Sequence, residues 1–200
     1  MTIIPRMSYP AMIARLFKKD DFNTKAQDLM HAAVGIAGET VEIMFATTPE
    51  NIVEEFGDLE FYTEAAVQSL ARLVATGGTL GSAVDAELTR EKFNLLVTEC
   101  STQVEEVSVS DLVYFGGEVL DYTKKLWVYN KPVAQVQDDL LRSLANLKAH
   151  MLALYTLTHL TEEGVQHANQ DKLVYSPNAR FKDAEYSDDA ANARADKVGA

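Results

Sequence analysis

Residues 31–62 read HAAVGIAGETVEIMFATTPENIVEEFGDLEFY, and apolar positions recur at helical spacing on both sides of its central break. The first helix of this pair carries Leu29, Ala33, Ile36, Val41 and Met44, with Asn23 or Thr24 placed to cap it. The second carries Ile52, Phe56, Leu59, Tyr62 and Val67, and is expected to run to about Ala75. Thr48-Pro49-Glu50 starts it with a capping hydroxyl, a first-turn proline and an acid at the positive dipole end. Only the turn from Ala46 to Pro49 separates them, so the two helices are antiparallel neighbours.

Each helix bears an acidic doublet. Glu39 and Glu42 stand three apart in Gly38-Glu-Thr-Val-Glu42, as do Glu55 and Asp58 in Glu54-Glu-Phe-Gly-Asp58. Residues at i and i+3 share a helix face, so the four acids converge across the pair. Apolar neighbours surround them, and crowded carboxylates there repel and resist desolvation. A hard divalent cation relieves both costs, since Mg²⁺ takes oxygen ligands and keeps waters that a phosphate can replace. Gly35, Gly38 and Gly57 stand beside the acids although each costs roughly 1 kcal/mol of helix propensity against alanine. Spacing alone leaves two readings open, a cation site or acids on a solvated face. Di-iron chemistry is disfavoured, because no glutamate stands three residues before any of the four histidines.

Outward from this pair the chain continues in helices. One is expected from Pro10 to about Lys19, and Gly77-Gly78-Thr79-Leu80-Gly81 marks an internal linker. A fourth helix is expected after Ser82, a fifth after Ser110-Asp111, and a sixth, the longest, from Pro132. Thr161 caps a seventh reaching about Leu173. No alternating β-branched run is bounded by a hairpin turn, so the class is all-α, an antiparallel helical bundle. The domain is read as residues 1–175, divisible into halves 1–76 and 82–175, followed by a polar tail over 176–200. Large apolar residues are scarce in the tail, which is expected to be loosely ordered or to fold only against a partner or ligand.

Composition narrows the class. The chain has 200 residues, 47% of them apolar, enough for a sizeable core and incompatible with wholesale disorder. Thirty acids against 18 bases give a formal charge of −12, which argues against binding a nucleic acid polymer through its phosphates. Cys100 is alone, so no intrachain disulfide or cysteine zinc site forms, which suits a reducing cytoplasm. No signal-peptide stretch opens the chain and no window suits a membrane span, so a cytoplasmic protein without membrane attachment is expected. The absence of a Gly-x-x-x-x-Gly-Lys loop excludes P-loop chemistry. Trp127 and Tyr129 are read as packing residues, and Lys18 as part of a charged helix end.

The stretch from His31 to Glu42, followed by Glu54-Glu-Phe-Gly-Asp-Leu-Glu-Phe-Tyr62, resembles the MazG-like nucleoside triphosphate pyrophosphohydrolases. These belong to the all-α NTP pyrophosphatase superfamily, whose pattern is E-x-x-E, a gap, then E-x-x-D. Asn169-Gln-Asp-Lys172-Leu173 resembles the Asn-x-x-Lys-Leu element late in many members, phage and bacterial ones especially. The resemblance implies that Glu39, Glu42, Glu55 and Asp58 bind Mg²⁺, or Mn²⁺ in its place, and are catalytic. It implies that Asn169 and Lys172 help hold the nucleotide, with Arg180 and Arg194 as the basic residues that follow. Water activated by metal and a carboxylate base would attack the α–β phosphate link, giving a nucleoside monophosphate and pyrophosphate.

The expected substrate is therefore a standard or modified (deoxy)nucleoside triphosphate, and the expected assembly a homo-oligomer, dimer or tetramer. A dUTPase-like specificity and a non-catalytic helical interaction protein are the alternatives. Gly117-Glu-Val-Leu-Asp121 aligns with Gly38-Glu-Thr-Val-Glu42, which suggests a degenerate repeat with Ser143 and Asn146 in place of the second pair of acids. A solvated helix face is the other account of Glu118 and Asp121.

Overall fold

In a computed structural model of the chain, which describes residues 5–18, 25–77 and 83–194, the architecture is an all-α helical bundle. The helices are α1 (Tyr9–Leu16), α2 (Lys25–Phe45), α3 (Pro49–Gly77), α4 (Ala83–Ser101), α5 (Val109–Trp127), α6 (Gln137–Thr158), α7 (Glu162–Gln170) and α8 (Asp188–Ala193). No strand forms among the described residues. No helix among them is long and apolar enough to cross a membrane.

Local chemistry sets several boundaries where the sequence placed them. The Thr48 hydroxyl accepts the Asn51 backbone N–H at 3.2 Å at the head of α3, and Thr161 caps α7 by accepting from Gly164 at 3.1 Å. Other expectations differ. Helix α5 starts at Val109 rather than after Asp111, because the Asp111 carboxylate reaches back to the Ser108 backbone N–H at 2.7 Å and fixes Ser108 as the cap. Pro132 begins only a 3₁₀ turn, Val133–Gln135, and α6 proper follows it. At 29 residues α3, not the 22-residue α6, is the longest helix. The proposed caps Asn23 and Thr24, and most of the glycine linker after Gly77, lie outside the described residues.

Helix α2 packs against both α3 and α5, α6 packs against α4 and α5, and α3 packs against α4 and α7. The core runs between these layers through Met12 and Ile13 of α1, Leu29 and Ile36 of α2, and Phe56, Leu59 and Leu70 of α3. Leu112, Leu140, Leu144 and Leu147 close it from α5 and α6. Each such side chain contributes roughly 1.5–3 kcal/mol by leaving water. A buried ion pair crosses the core. Glu60, 3% exposed, meets Lys148 Nζ and accepts the Tyr155 hydroxyl at 2.9 Å, while Lys148 also reaches Glu162 at 2.8 Å. Glu60 thus ties α3 to α6.

The segment after Ser176 differs most from expectation. A π-helical turn, Asp171–Tyr175, follows α7, and the chain then hooks back. Arg180 N–H donates to the Lys172 carbonyl at 3.1 Å and Phe181 N–H to the Leu173 carbonyl at 2.8 Å. Ala179, Phe181 and Ala184 are buried, and Lys18 pairs with Asp188 at 2.7 Å. Buried Ala179, Phe181 and Ala184 and these two backbone hydrogen bonds hold residues 176–194 against their own chain.

Candidate functional site

The antiparallel α2–α3 pair brings Glu39, Glu42 and Glu55 together, with one carboxylate oxygen from each inside 4.8 Å of the others. Two glycines make the approach possible. A Cβ on Gly35 would stand 2.3 Å from the Tyr62 ring, so only glycine lets that ring lie across α2 one turn before Glu39. A Cβ on Gly57 would stand 2.9 Å from Asn169, so glycine lets α7 close on α3 beside Asp58.

Asp58 takes a different role from its three neighbours. Its carboxylate accepts from Asn169 Nδ2 at 2.9 Å and from Lys172 Nζ at 2.5 Å, and Lys172 also meets Glu54 at 3.0 Å. Asn169 is 2% exposed, and its own oxygen accepts the Tyr9 hydroxyl at 3.0 Å. Asn169 is thereby a buried strut between α1 and Asp58. The π-helical turn carries Lys172 to this point, and its hydrogen bond to Arg180 N–H sets where the following basic residue emerges.

Glu39, Glu42, Glu55 and Asp58 line a cavity of about 320 Å³. Its walls are aromatic. Phe17 stacks on His31 at 4.6 Å between centroids, with the rings 22° apart, and Tyr62 meets His31 edge-on at 6.0 Å. Lys18, Arg180 and Arg194 bring positive charge to the same cavity, and Phe181 and Tyr186 complete it from the folded-back segment. Trp127 and Tyr129 do not line it and are exposed at the end of α5, rather than packed as expected.

The charges respond to this crowding. Burial, followed by the negative charges of Asp58, Glu42 and Glu55, pushes Glu39 from 4.5 up to about 8. Glu55 is raised by the same causes, burial first and then Glu42. Burial raises the Tyr62 phenol, with Glu39 and Asp58 adding to it and Arg180 and Arg194 opposing. A donor set made only of carboxylate oxygens fits a hard divalent cation. Glu39, Glu42 and Glu55 are the residues that would hold it.

Sequence reasoning missed the Phe17–His31 stack and the Phe181–Tyr186 wall. The signal for the wall was present, since Phe181 and Tyr186 interrupt an otherwise polar stretch. Nothing in spacing marks the stack, because Phe17 caps the end of α1 and His31 lies in α2. At the aligned second position, Glu118 accepts from Ser143 Oγ at 3.2 Å, and Asp121 pairs with Lys124 and Lys125 at 2.8 Å each. No protein-family model, curated protein or solved structure matches this chain.

Proposed function

We infer that the α2–α3 site is that of a MazG-like nucleoside triphosphate pyrophosphohydrolase, dependent on Mg²⁺ and releasing pyrophosphate. One observation carries this reading: three carboxylates converge on the wall of a cavity that also offers stacked aromatic rings and arginines. Those are the three needs of a metal-bound nucleotide, namely oxygen ligands, a face for the base and cations for the phosphates. A bound Mg²⁺ supplies a coordinated water of lowered pKa and screens phosphate charge. Around it, a carboxylate of the cluster accepts the proton of the attacking water, the α–β P–O bond breaks, and pyrophosphate leaves. Asn169 and Lys172 hold Asp58 in orientation. Arg180 and Arg194 answer the phosphate charge, and the His31–Phe17 pair offers a flat apolar face to the base.

Val34, Val41 and Phe45 lie exposed along one stripe of α2, which supports a homo-oligomer as the working assembly. The test is pyrophosphate release from a panel of ribo- and deoxynucleoside triphosphates, with Mg²⁺ and with EDTA. Release that needs Mg²⁺ and disappears in a Glu39→Gln, Asp58→Asn double variant is the expected result. A folded protein releasing none from any nucleotide overturns the proposal.

A further inference from the structure

Asn169 and Lys172, which hold Asp58, stand on α7 and the π-helical turn, and residues 5–9 grip that stretch although remote from it in sequence. Gln170 Nε2 donates to the Met7 carbonyl at 3.0 Å, and the Tyr175 hydroxyl accepts the Met7 N–H at 2.8 Å. Arg6 meets Asp171, donates to Gln170 Oε1 at 3.2 Å and lies 4.8 Å over the Tyr175 ring.

Tyr9 makes the contact that reaches the site. It is buried, and its hydroxyl lies 3.0 Å from Asn169 Oδ1 and 3.2 Å from the carbonyl of Gly57, the residue before Asp58. Lys172 pairs with one oxygen of Asp58 and Asn169 with the other, so the two donors together set how the carboxylate is turned. The order of these bonds is fixed by what each group can do. An ionised carboxylate only accepts, so Asn169 must present Nδ2 to Asp58 and turn Oδ1 away. Tyr9 is the donor that meets Oδ1 there. Without that hydroxyl the oxygen loses its donor where water scarcely reaches, which is unfavourable. The amide then gains by rotating, and rotation takes Nδ2 from Asp58.

We propose that Tyr9 is a positioning residue for the α2–α3 site, its hydroxyl setting the Asn169 amide and, through it, the Asp58 carboxylate. The consequence for turnover rests on the pyrophosphohydrolase reading. The consequence for Asn169 does not, and it is measured without nucleotide or metal.

The experiment compares Tyr9→Phe, which keeps the ring and removes the hydroxyl, with Tyr155→Phe, which removes another buried hydroxyl, bonded to Glu60 instead. Circular dichroism melts establish that each variant is folded. The first readout is hydrogen exchange of the Asn169 side-chain amide by NMR, its signal identified by its loss in Asn169→Ala. Exchange is expected to quicken about tenfold in Tyr9→Phe, as the bond to Asp58 opens, and to stay unchanged in Tyr155→Phe. The second readout is pyrophosphate release with Mg²⁺. Tyr9→Phe is expected to lower kcat about tenfold and to leave KM for the nucleotide within about twofold, while Tyr155→Phe turns over normally. In an Asn169→Ala background Tyr9→Phe is expected to cost nothing further, because both changes break one path. Unchanged amide exchange in Tyr9→Phe, the same quickening in Tyr155→Phe, an unchanged kcat in an active chain, or an equal further loss in Asn169→Ala would each overturn the proposal. A folded, unmodified chain that releases no pyrophosphate overturns the pyrophosphohydrolase reading instead, and the amide exchange still decides the link from Tyr9 to Asp58.

Discussion

The corner between α2 and α3 and the corner between α5 and α6 begin from similar wording, glycine-acid-x-x-acid, and the chain treats their charges in opposite ways. At the first, Glu39 and Glu42 face Glu55 across the helix pair, and Glu39 is driven up to about 8. At the second, Asp121 is held down to about 2 by hydrogen bonds from Lys124 and then Lys125. Glu118 there meets Ser143 and, at 3.3 Å, the Tyr114 hydroxyl, where its counterpart meets further acids. Two local differences explain the outcome. Three and four residues after Glu42 stand Phe45 and Ala46, while the same steps after Asp121 reach lysines. The facing helix brings Glu55 in one case and Ser143 in the other. An acidic doublet is left crowded only when its own helix and its partner both fail to neutralise it.

The strongest way to break this comparison is to remove the acids one corner at a time. Glu39→Gln or Glu55→Gln is expected to lower Mg²⁺-dependent pyrophosphate release by about 10²–10⁴-fold, the usual scale for a group acting on the proton in flight. Mg²⁺ is expected to raise the melting temperature of the unmodified chain, and each variant should abolish that rise. Glu118→Gln and Asp121→Asn are expected to leave both readouts unchanged. Equal losses at the two corners would mean that the second is as functional as the first.

Burial separates the two kinds of paired acid as sharply. Glu60 and Lys148 form a pair inside the core, whereas Asp121 and its lysines are about half exposed. Lys148→Met strands a buried carboxylate and is expected to cost about 3–5 kcal/mol in urea unfolding. Asp121→Asn is expected to cost under about 1 kcal/mol. Adding Glu60→Leu to Lys148→Met should recover most of the loss, because an apolar pair has no charge to desolvate. If the double variant is no more stable than Lys148→Met alone, packing rather than charge explains the cost.

Both contrasts show what a one-dimensional reading reaches. The all-α class and the convergence of Glu39, Glu42 and Glu55 follow from local rules, helical period and i, i+3 spacing, which act within a few residues. Asp58 shares that spacing, yet its partners Asn169 and Lys172 stand more than a hundred residues away, and no local rule joins them. The burial of Glu60 depends on α6, whose packing a helical pattern does not specify. The fold-back of Phe181 was hidden for the same reason. Its two backbone hydrogen bonds leave no mark in composition, so a polar stretch reads as a tail.

The glycines sharpen the comparison at smaller energies. Gly38 and Gly117 occupy matching places, and a Cβ on either would meet nothing within 4 Å. Alanine at each should therefore stabilise by about 0.5–1 kcal/mol in thermal or urea unfolding, through the lost freedom of the unfolded chain. Activity is expected to divide them. Gly38→Ala puts a methyl beside the acids proposed to hold Mg²⁺ and should raise the Mg²⁺ requirement, while Gly117→Ala should leave turnover unchanged. If Gly38→Ala stabilises and turns over normally, the glycine serves neither ligand access nor packing.

In pH dependence the two corners should differ in sign. Without divalent ions, folded Glu39 holds its proton up to about 8, whereas its ordinary value is 4.5. Between those values the native state binds more protons than the unfolded state, so this group makes stability fall as pH rises. Asp121 does the reverse. Its folded value of about 2 lies below the ordinary 3.8, so its stabilisation is present above 3.8 and is lost as pH falls through 2. Asp121 is exposed and screened by salt, so its share should be the lesser one. Melting temperatures across this range should accordingly flatten between pH 5 and 8 in Glu39→Gln, and only on the acid limb in Asp121→Asn. Saturating Mg²⁺ should remove the first slope in the unmodified chain, since cation binding favours the carboxylate that pH alone makes costly. Parallel curves for the unmodified chain and Glu39→Gln over pH 5 to 8 would mean that Glu39 is not crowded in solution, and the contrast between the corners would then rest on Lys124 and Lys125 alone.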